Sequence, residues 1–245
     1  MMSPHKGQDE TESPIQRRDY LDVSYSEKRK PQTGYPLQLC QRISKRYFQS
    51  QSGKLLDVGC GRGDQARAMI QIGFDVTGCD LSPQALKNAN NEYPVEVFDF
   101  ENDEFPWPDQ TFDFVYCKSV IEHMHNPDVL LLKCLRVLKP GGKAVFSTPD
   151  WENMYQIFYS EYTHRTPFTR KSLLDCLLIN GFSDVKVERL TQLPWLWKFP
   201  FLKIVTYFLA KLPELFRRFK NVRFSKEIML ISVGTKSIDE TLSPE

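Results

Sequence analysis

The chain has 245 residues, 41 % hydrophobic and 26 % charged, with a net charge of +1. Such a length and balance suit one large globular α/β domain with a substantial core, and the near-zero charge excludes a global field that would draw the molecule onto nucleic acid. Six cysteines, at positions 40, 60, 79, 117, 134 and 176, form no C-x-x-C pair and stand beside no histidine cluster. They read as reduced thiols of a cytoplasmic protein, with neither a disulfide framework nor a metal centre expected.

In chain order, residues 1–18 are polar and read as a mobile leader, with no apolar run that would make a secretory signal. Residues 19–53 read as a lid and cap, with a helical pattern in PLQLCQRISKRYF, and 54–245 as the main domain. KLLDVG is a short buried strand; DQARAMIQI is a helix stopped by Gly73; FDVTGCD is a second strand. Ser82 and Pro83 open a helix to about Glu92, and VEVFD and FDFVYC are strands three and four. Asn126 and Pro127 begin a helix to Leu138, which Pro140-Gly141-Gly142 ends before the strand KAVFSTP. Thr169 caps a helix ended by Gly181, and DVKVERL and EIMLISVGT are the last strands. The alternation predicts a largely parallel sheet with helices on both faces.

LLDVGCGRGD, residues 55–64, carries the strongest chemical signal. Glycines after a strand let backbone N–H groups approach a ligand that a Cβ would block. The spacing excludes two classes. A dinucleotide fingerprint needs G-x-G-x-x-G, and Asp64 stands where its third glycine belongs; a phosphate-binding P-loop needs a G-K-S or G-K-T that is absent. The expected ligand is nucleoside-like, without phosphates, and able to carry positive charge. Asp57 suits an ammonium or an ordered water. Asp80, at the end of the second strand, suits both ribose hydroxyls, and Asp99, at the end of the third, an adenine amino group, with Leu81 and Phe100 sandwiching the base. Each acid alone reads rather as a helix cap or a solvated turn; three at successive strand ends beside a glycine turn do not.

On these motifs the chain resembles the class I methyltransferases dependent on S-adenosylmethionine. LLDVGCGRGD is similar to their first motif, GCDLSPQAL to their ribose-binding segment, and FDFVYCKSVIEHMHNPDVLLLKCLRVLKPGGKAVFSTP to the stretch from their fourth to fifth strand. The resemblance implies a Rossmann-like seven-stranded, mostly parallel sheet with the last strand antiparallel. It implies S-adenosyl-L-methionine as cofactor, with Asp57, Gly59, Cys60, Gly61, Asp80, Leu81, Asp99, Phe100 and Lys118 as the binding set. The alternative is a regulatory or interaction protein that binds the same molecule without catalysis.

An oxygen acceptor needs a base. The candidates are His164, in EYTHRTPFTRKSLL, and His123, in SVIEHM, with His164 ahead. The first tract resembles the T-H-x-R-P-F-T segment of bacterial methyltransferases of surface-glycan and lipid-linked sugar pathways, but here Arg165 follows the histidine directly. No N-P-P-Y, D-P-P-Y or Pro-Cys signature of nucleic-acid methylation is present, so a small-molecule or lipid-linked acceptor is expected, and no nucleic acid.

Residues 193–224 interrupt the last two strands with LPWLWKFPFLKIVTYFLAKLPELFRRFKNVRF. Read as one helix from Pro200, they align Phe201, Val205, Phe208, Leu212, Leu215 and Phe219 in a stripe. Between 194 and 226 stand eight Lys or Arg against one Glu. That pattern suits peripheral contact with an anionic membrane; the other readings are packing on the chain's own core and a homodimer face.

Residues 20–35, with Tyr25 and the cations Lys28, Arg29 and Lys30, are expected to close over the cofactor. Hydrogen exchange should slow across this stretch when S-adenosylhomocysteine is added; unchanged protection would remove the lid.

Overall fold

The computed structural model describes residues 20–21 and 34–238, and the fold described here is that of 34–238. The leader and most of the lid, Tyr25 included, lie outside the described residues. Seven strands form one sheet: β1 Gly53–Val58, β2 Phe74–Asp80, β3 Val95–Val97, β4 Phe112–Lys118, β5 Leu138–Pro149, β6 Phe182–Thr191 and β7 Ile228–Lys236, in the spatial order β3-β2-β1-β4-β5-β7-β6. β7 runs antiparallel to both its neighbours and the other pairings are parallel. β1 lies between β2 and β4, so the chain winds outward in both directions from it. The crevice of such a sheet opens at the carboxyl end of that strand.

Helices cover both faces, because alternate residues of each central strand point to opposite sides. Leu56, Val58, Val115, Cys117 and Phe146 pack under helices α4 (Pro127–Val137) and α6 (Arg170–Ile179), through Leu130, Leu131, Cys134, Leu173 and Leu177. Leu55, Tyr116, Val145 and Ile231 face the other way, against α1 (Gly34–Ile43) and α2 (Asp64–Ile72), through Leu39, Ile43, Ala66 and Met69. All six cysteines are free, and all but Cys176 are buried.

Five elements differ from the sequence expectation, the first being β3, which ends at Val97 and not at Asp99. Helix α3 (Gln84–Ala89) stops short of Glu92, because Asn90 and Asn91 adopt left-handed φ values of 49° and 60°. β5 begins at Leu138, since its first residue already pairs with Phe112 and the ladder re-registers before Phe114; Pro140-Gly141-Gly142 lies within the strand. An additional helix, α5 (Trp151–Phe158), follows β5, capped by the buried Asp150 side chain, which accepts from the Glu152 N–H. The insertion is not one helix. It breaks into α7 (Pro194–Lys198), α8 (Lys203–Ala210) and α9 (Lys220–Lys226), with 3₁₀ turns at Pro200–Leu202 and Glu214–Arg218. Pro200 and Pro213 fix these breaks because neither can donate to a preceding turn. Among the described residues no helix is long and apolar enough to cross a membrane.

Gly59 shows how closely the crevice floor is packed. Its φ is 74°, and a Cβ there would land on Val120 Cγ2. Gly59→Ala should therefore lose about 1–2 kcal/mol for the left-handed backbone and about 1–3 kcal/mol for overpacking. Only the second part is relieved by Val120→Ala. In denaturant unfolding, the double variant should lose less than the sum of the single losses; strict additivity would contradict the contact.

Candidate cofactor and acceptor site

The turn after β1 is pinned to the end of β2. Gly59 and Cys60 N–H both donate to the Cys79 carbonyl, at 2.8 and 3.0 Å, and Gly61 N–H donates to Asp80 Oδ2 at 2.8 Å. Gly59, Gly61 and Gly63 all have left-handed φ values, which only glycine adopts without strain. Asp80 is buried, and its other oxygen accepts from Ser82 N–H at 2.9 Å. Leu81, next to it, is 53 % exposed, an apolar side chain left open at the rim.

Asp57 lies at the end of β1 with its Oδ2 buried and without a hydrogen-bond partner. Burial, followed by the neighbouring Asp80 charge, raises its pKa from 3.8 to about 7, against the pull of Lys118. Lys118 ends β4 half-buried, and burial holds its pKa below the usual lysine value, opposed by the acids Glu122, Asp57 and Asp64.

Asp99 sits two residues beyond β3, not at its end. Its carboxylate closes its own loop, accepting from Glu101 N–H and Asn102 Nδ2, both at 2.9 Å. Burial pushes its pKa up, but these bonds outweigh it and hold the carboxyl below the ordinary value. Phe100 departs from the sandwich expected of it. It is buried in an aromatic cluster, edge-on to Phe98 at 5.5 Å, so Leu81 is the open apolar side of the pair. Sequence reading missed the buried Lys133 of α4, whose Nζ donates to the carbonyls of Phe100 at 3.1 Å and Asp103 at 2.7 Å and so holds this loop. Its signal was a single cation inside the apolar run LLLKCL.

Beyond β4 the two candidate histidines come together. The 3₁₀ turn Ile121–His123 is stapled to the loop after α5: Arg165 and Thr166 N–H donate to the Glu122 carbonyl at 2.8 and 3.0 Å, and Thr166 Oγ1 donates to Met124 O at 2.8 Å. The rings of His123 and His164 lie 4.8 Å apart. His164 Nδ1 is 2.7 Å from the Phe158 carbonyl, a contact that requires Nδ1 to carry the proton and leaves Nε2 as the acceptor. Burial lowers the pKa of both rings, and for His123 the adjacent His164 adds to it. Both shifts favour the neutral ring. Glu122, fully buried, is raised by burial to about 7. Its carboxylate and the two imidazoles place ligand atoms within 4.8 Å of one another, so among the described residues this trio could hold a metal ion. His125 is exposed, and the helix cap expected near it is made by Asn126, which accepts from Asp128 N–H.

A doubly wound sheet whose switch point is floored by a glycine turn that carries no phosphate signature defines a class of proteins. The family profile described as "Methyltransferase domain" matches residues 27–187, and the chain belongs to that family. It is similar to the ubiquinone biosynthesis O-methyltransferases of Idiomarina loihiensis, 38 % identical over 104 residues, and Thiobacillus denitrificans, 39 % identical over 102. Each match covers 39 % of this chain, and the chain spans only 42 % and 44 % of those relatives' lengths. Among solved structures, the fold is similar to a methyltransferase dependent on S-adenosylmethionine from Archaeoglobus fulgidus (TM-score 0.60, 22 % identity, 82 % of this chain and 94 % of that one). It is also similar to phosphoethanolamine N-methyltransferase 2 of Haemonchus contortus, solved with S-adenosylhomocysteine (TM-score 0.60, 23 % identity, 81 % of this chain and 52 % of that one).

The raised pKa of Asp57 gives a stability signature. Between about pH 4 and 7 the unfolded chain ionises this carboxyl while the folded protein keeps it protonated. The folded state then binds more protons, so stability falls as pH rises through that window, and Glu122 acts in the same direction. Asp57→Asn should make the decline shallower in urea unfolding across that range; a slope equal to that of the wild type would contradict the burial assigned to Asp57.

Proposed function

We propose that the protein transfers a methyl group from S-adenosyl-L-methionine to an oxygen of a small-molecule or lipid-linked glycan acceptor, as a cytoplasmic enzyme working at the membrane surface. The observation that carries the reading is the glycine turn tied to Asp80, with the unpartnered Asp57 oxygen beside it. A buried carboxylate oxygen without a partner is costly unless a cation or donor reaches it, and a sulfonium nucleoside with an amino-acid tail brings both. When bound, that molecule supplies the activated methyl group. The chain's own residues then bind and orient. Asp80 accepts the ribose hydroxyls, and Gly59, Cys60 and Gly61 let the backbone approach. Leu81 covers one face of the base; Asp99 and Phe100 belong to the loop at its amino edge. Asp57 and Lys118 set the charge at the amino-acid end.

The acceptor oxygen must lose a proton as it is methylated. His164 Nε2 is the acceptor for it, with the ring held by the Phe158 carbonyl, and His123 is the second candidate 4.8 Å away. The names of the curated relatives favour oxygen as the methylated atom. Because burial lowers the pKa of both histidines, turnover should rise with pH below the ordinary histidine range and be flat near neutrality.

Two measurements test this. In titration calorimetry, Asp80→Ala should weaken S-adenosylhomocysteine binding by roughly 1.5–3 kcal/mol per lost charged hydrogen bond, while nicotinamide dinucleotides bind neither protein; unchanged affinity would remove the ribose from Asp80. With labelled cofactor and the acceptor found by label capture from extract, His164→Ala should lose about 10²–10⁴ in turnover at normal cofactor affinity. Full turnover in both His164→Ala and His123→Ala would leave positioning alone as the source of rate.

A further inference from the structure

The insertion between β6 and β7 has a rooted part and a bare part. At its root, Leu193, Leu196 and Val222 are buried. Trp197 donates from Nε1 to the Thr191 carbonyl at 2.9 Å, with the Arg42 guanidinium 5.3 Å from its ring centroid. Beyond the root, helix α8 has no buried residue, although six of its eight residues, KIVTYFLA, are apolar or aromatic. Phe199, Phe201, Ile204, Phe208, Leu215 and Phe219 are all at least half exposed, Phe201 and Leu215 to 73 %. Of the three readings of the stripe, packing on the chain's own core does not hold for Phe201, Phe208, Leu215 and Phe219. Large apolar side chains left exposed together, as in the ring pairs Phe199–Phe201 and Tyr207–Phe208, mark a partner.

Charge selects the partner. Lys198, Lys203, Lys211, Arg218 and Lys220 are exposed among these side chains. Lys211 Nζ lies 4.2 Å from the Tyr207 ring centroid and the Arg218 guanidinium 5.0 Å from that of Phe219, so cation and aromatic share one surface. A second copy of the chain would bring the same cations against themselves. An anionic lipid surface meets both features at once, taking the aromatics into the interface and the cations against its headgroups. The breaks at Pro200 and Pro213 keep the segments short, which suits a structure lying on a bilayer and not crossing it.

The root also sets the orientation. β6 runs parallel to β5, so the insertion leaves the sheet at its carboxyl edge, and it returns where Ile228 pairs with Thr191. There the Ile228 carbonyl accepts from Asp150 N–H at 3.0 Å, at the start of the segment that leads to His164. We propose that residues 199–220 form a docking surface for an anionic phospholipid bilayer, turning the acceptor side of the crevice toward the membrane. The inference deepens the methyl-transfer reading and rests on it for what the surface brings to the site.

Flotation of the full chain tests it, with vesicles of phosphatidylcholine alone or mixed with phosphatidylglycerol. The wild type should float with the mixed vesicles at low salt, about tenfold less with the neutral ones, and be released as salt rises. Phe201→Glu with Phe208→Glu, and separately Lys203→Glu with Lys211→Glu, should each cut flotation about tenfold or more with an unchanged unfolding midpoint, because these side chains are exposed. Wild type that stays unbound, variants that float like wild type, equal flotation with neutral vesicles, or a doubled mass in light scattering that the variants abolish would each overturn the proposal. S-adenosylhomocysteine calorimetry on the same samples separates the two readings. Binding without flotation overturns the docking alone; flotation without binding overturns the methyl transfer and leaves the docking standing.

Discussion

Asp80 holds the crevice together through two main-chain donors, Gly61 N–H from the turn after β1 and Ser82 N–H from the turn after its own strand. Both bonds are made by a buried side chain, where a charge-assisted hydrogen bond is roughly twice as strong as a neutral one. The turn after β1 is thereby fixed with Gly59, Gly61 and Gly63 in left-handed conformations that only glycine adopts freely. The same carboxylate charge helps to keep Asp57 protonated at the end of the neighbouring strand. A cation arriving beside Asp57 would relieve that condition, so geometry and charge at the end of β1 favour the same kind of ligand.

The side that carries His123 and His164 is built differently. It depends on no strand end but on the staple from Arg165 and Thr166 N–H to the Glu122 carbonyl, which joins a 3₁₀ turn to a loop from beyond β5. Lys118, at the end of β4, is near both sides, since Asp57 and Glu122 both oppose the lowering of its pKa by burial.

How much of this could be read from the chain alone follows from which contacts are local. The strands around LLDVGCGRGD and FDVTGCD, the helix stopped by Gly73 and the capping of α6 by Thr169 depend on neighbours in sequence, and they fold as expected. Helix α5 escaped notice because its cap, Asp150, closes a strand and is buried by tertiary packing, including a 2.6 Å bond from Arg189 Nε. The inward turn of Phe100 depends on Phe98 and Phe105 and on Lys133, 33 positions further along the chain. Both histidines were legible as candidates, but their 4.8 Å approach was not, since no periodicity relates residues so far apart. The insertion read as one amphipathic helix because the 3.6-residue pattern runs across Pro200 and Pro213, whereas the backbone cannot.

The central claim is that the glycine turn clamped by Asp80 receives the adenosyl cofactor. Amide chemical shifts of the labelled protein, recorded while S-adenosylhomocysteine is added, test it most directly. The account predicts the largest changes at Gly59, Cys60, Gly61, Leu81 and Phe100, with smaller ones at Ser119 and Val120 and none in α8. Saturable binding that leaves the amides of residues 59–61 and 81 unmoved, or that moves another edge of the sheet, would contradict it.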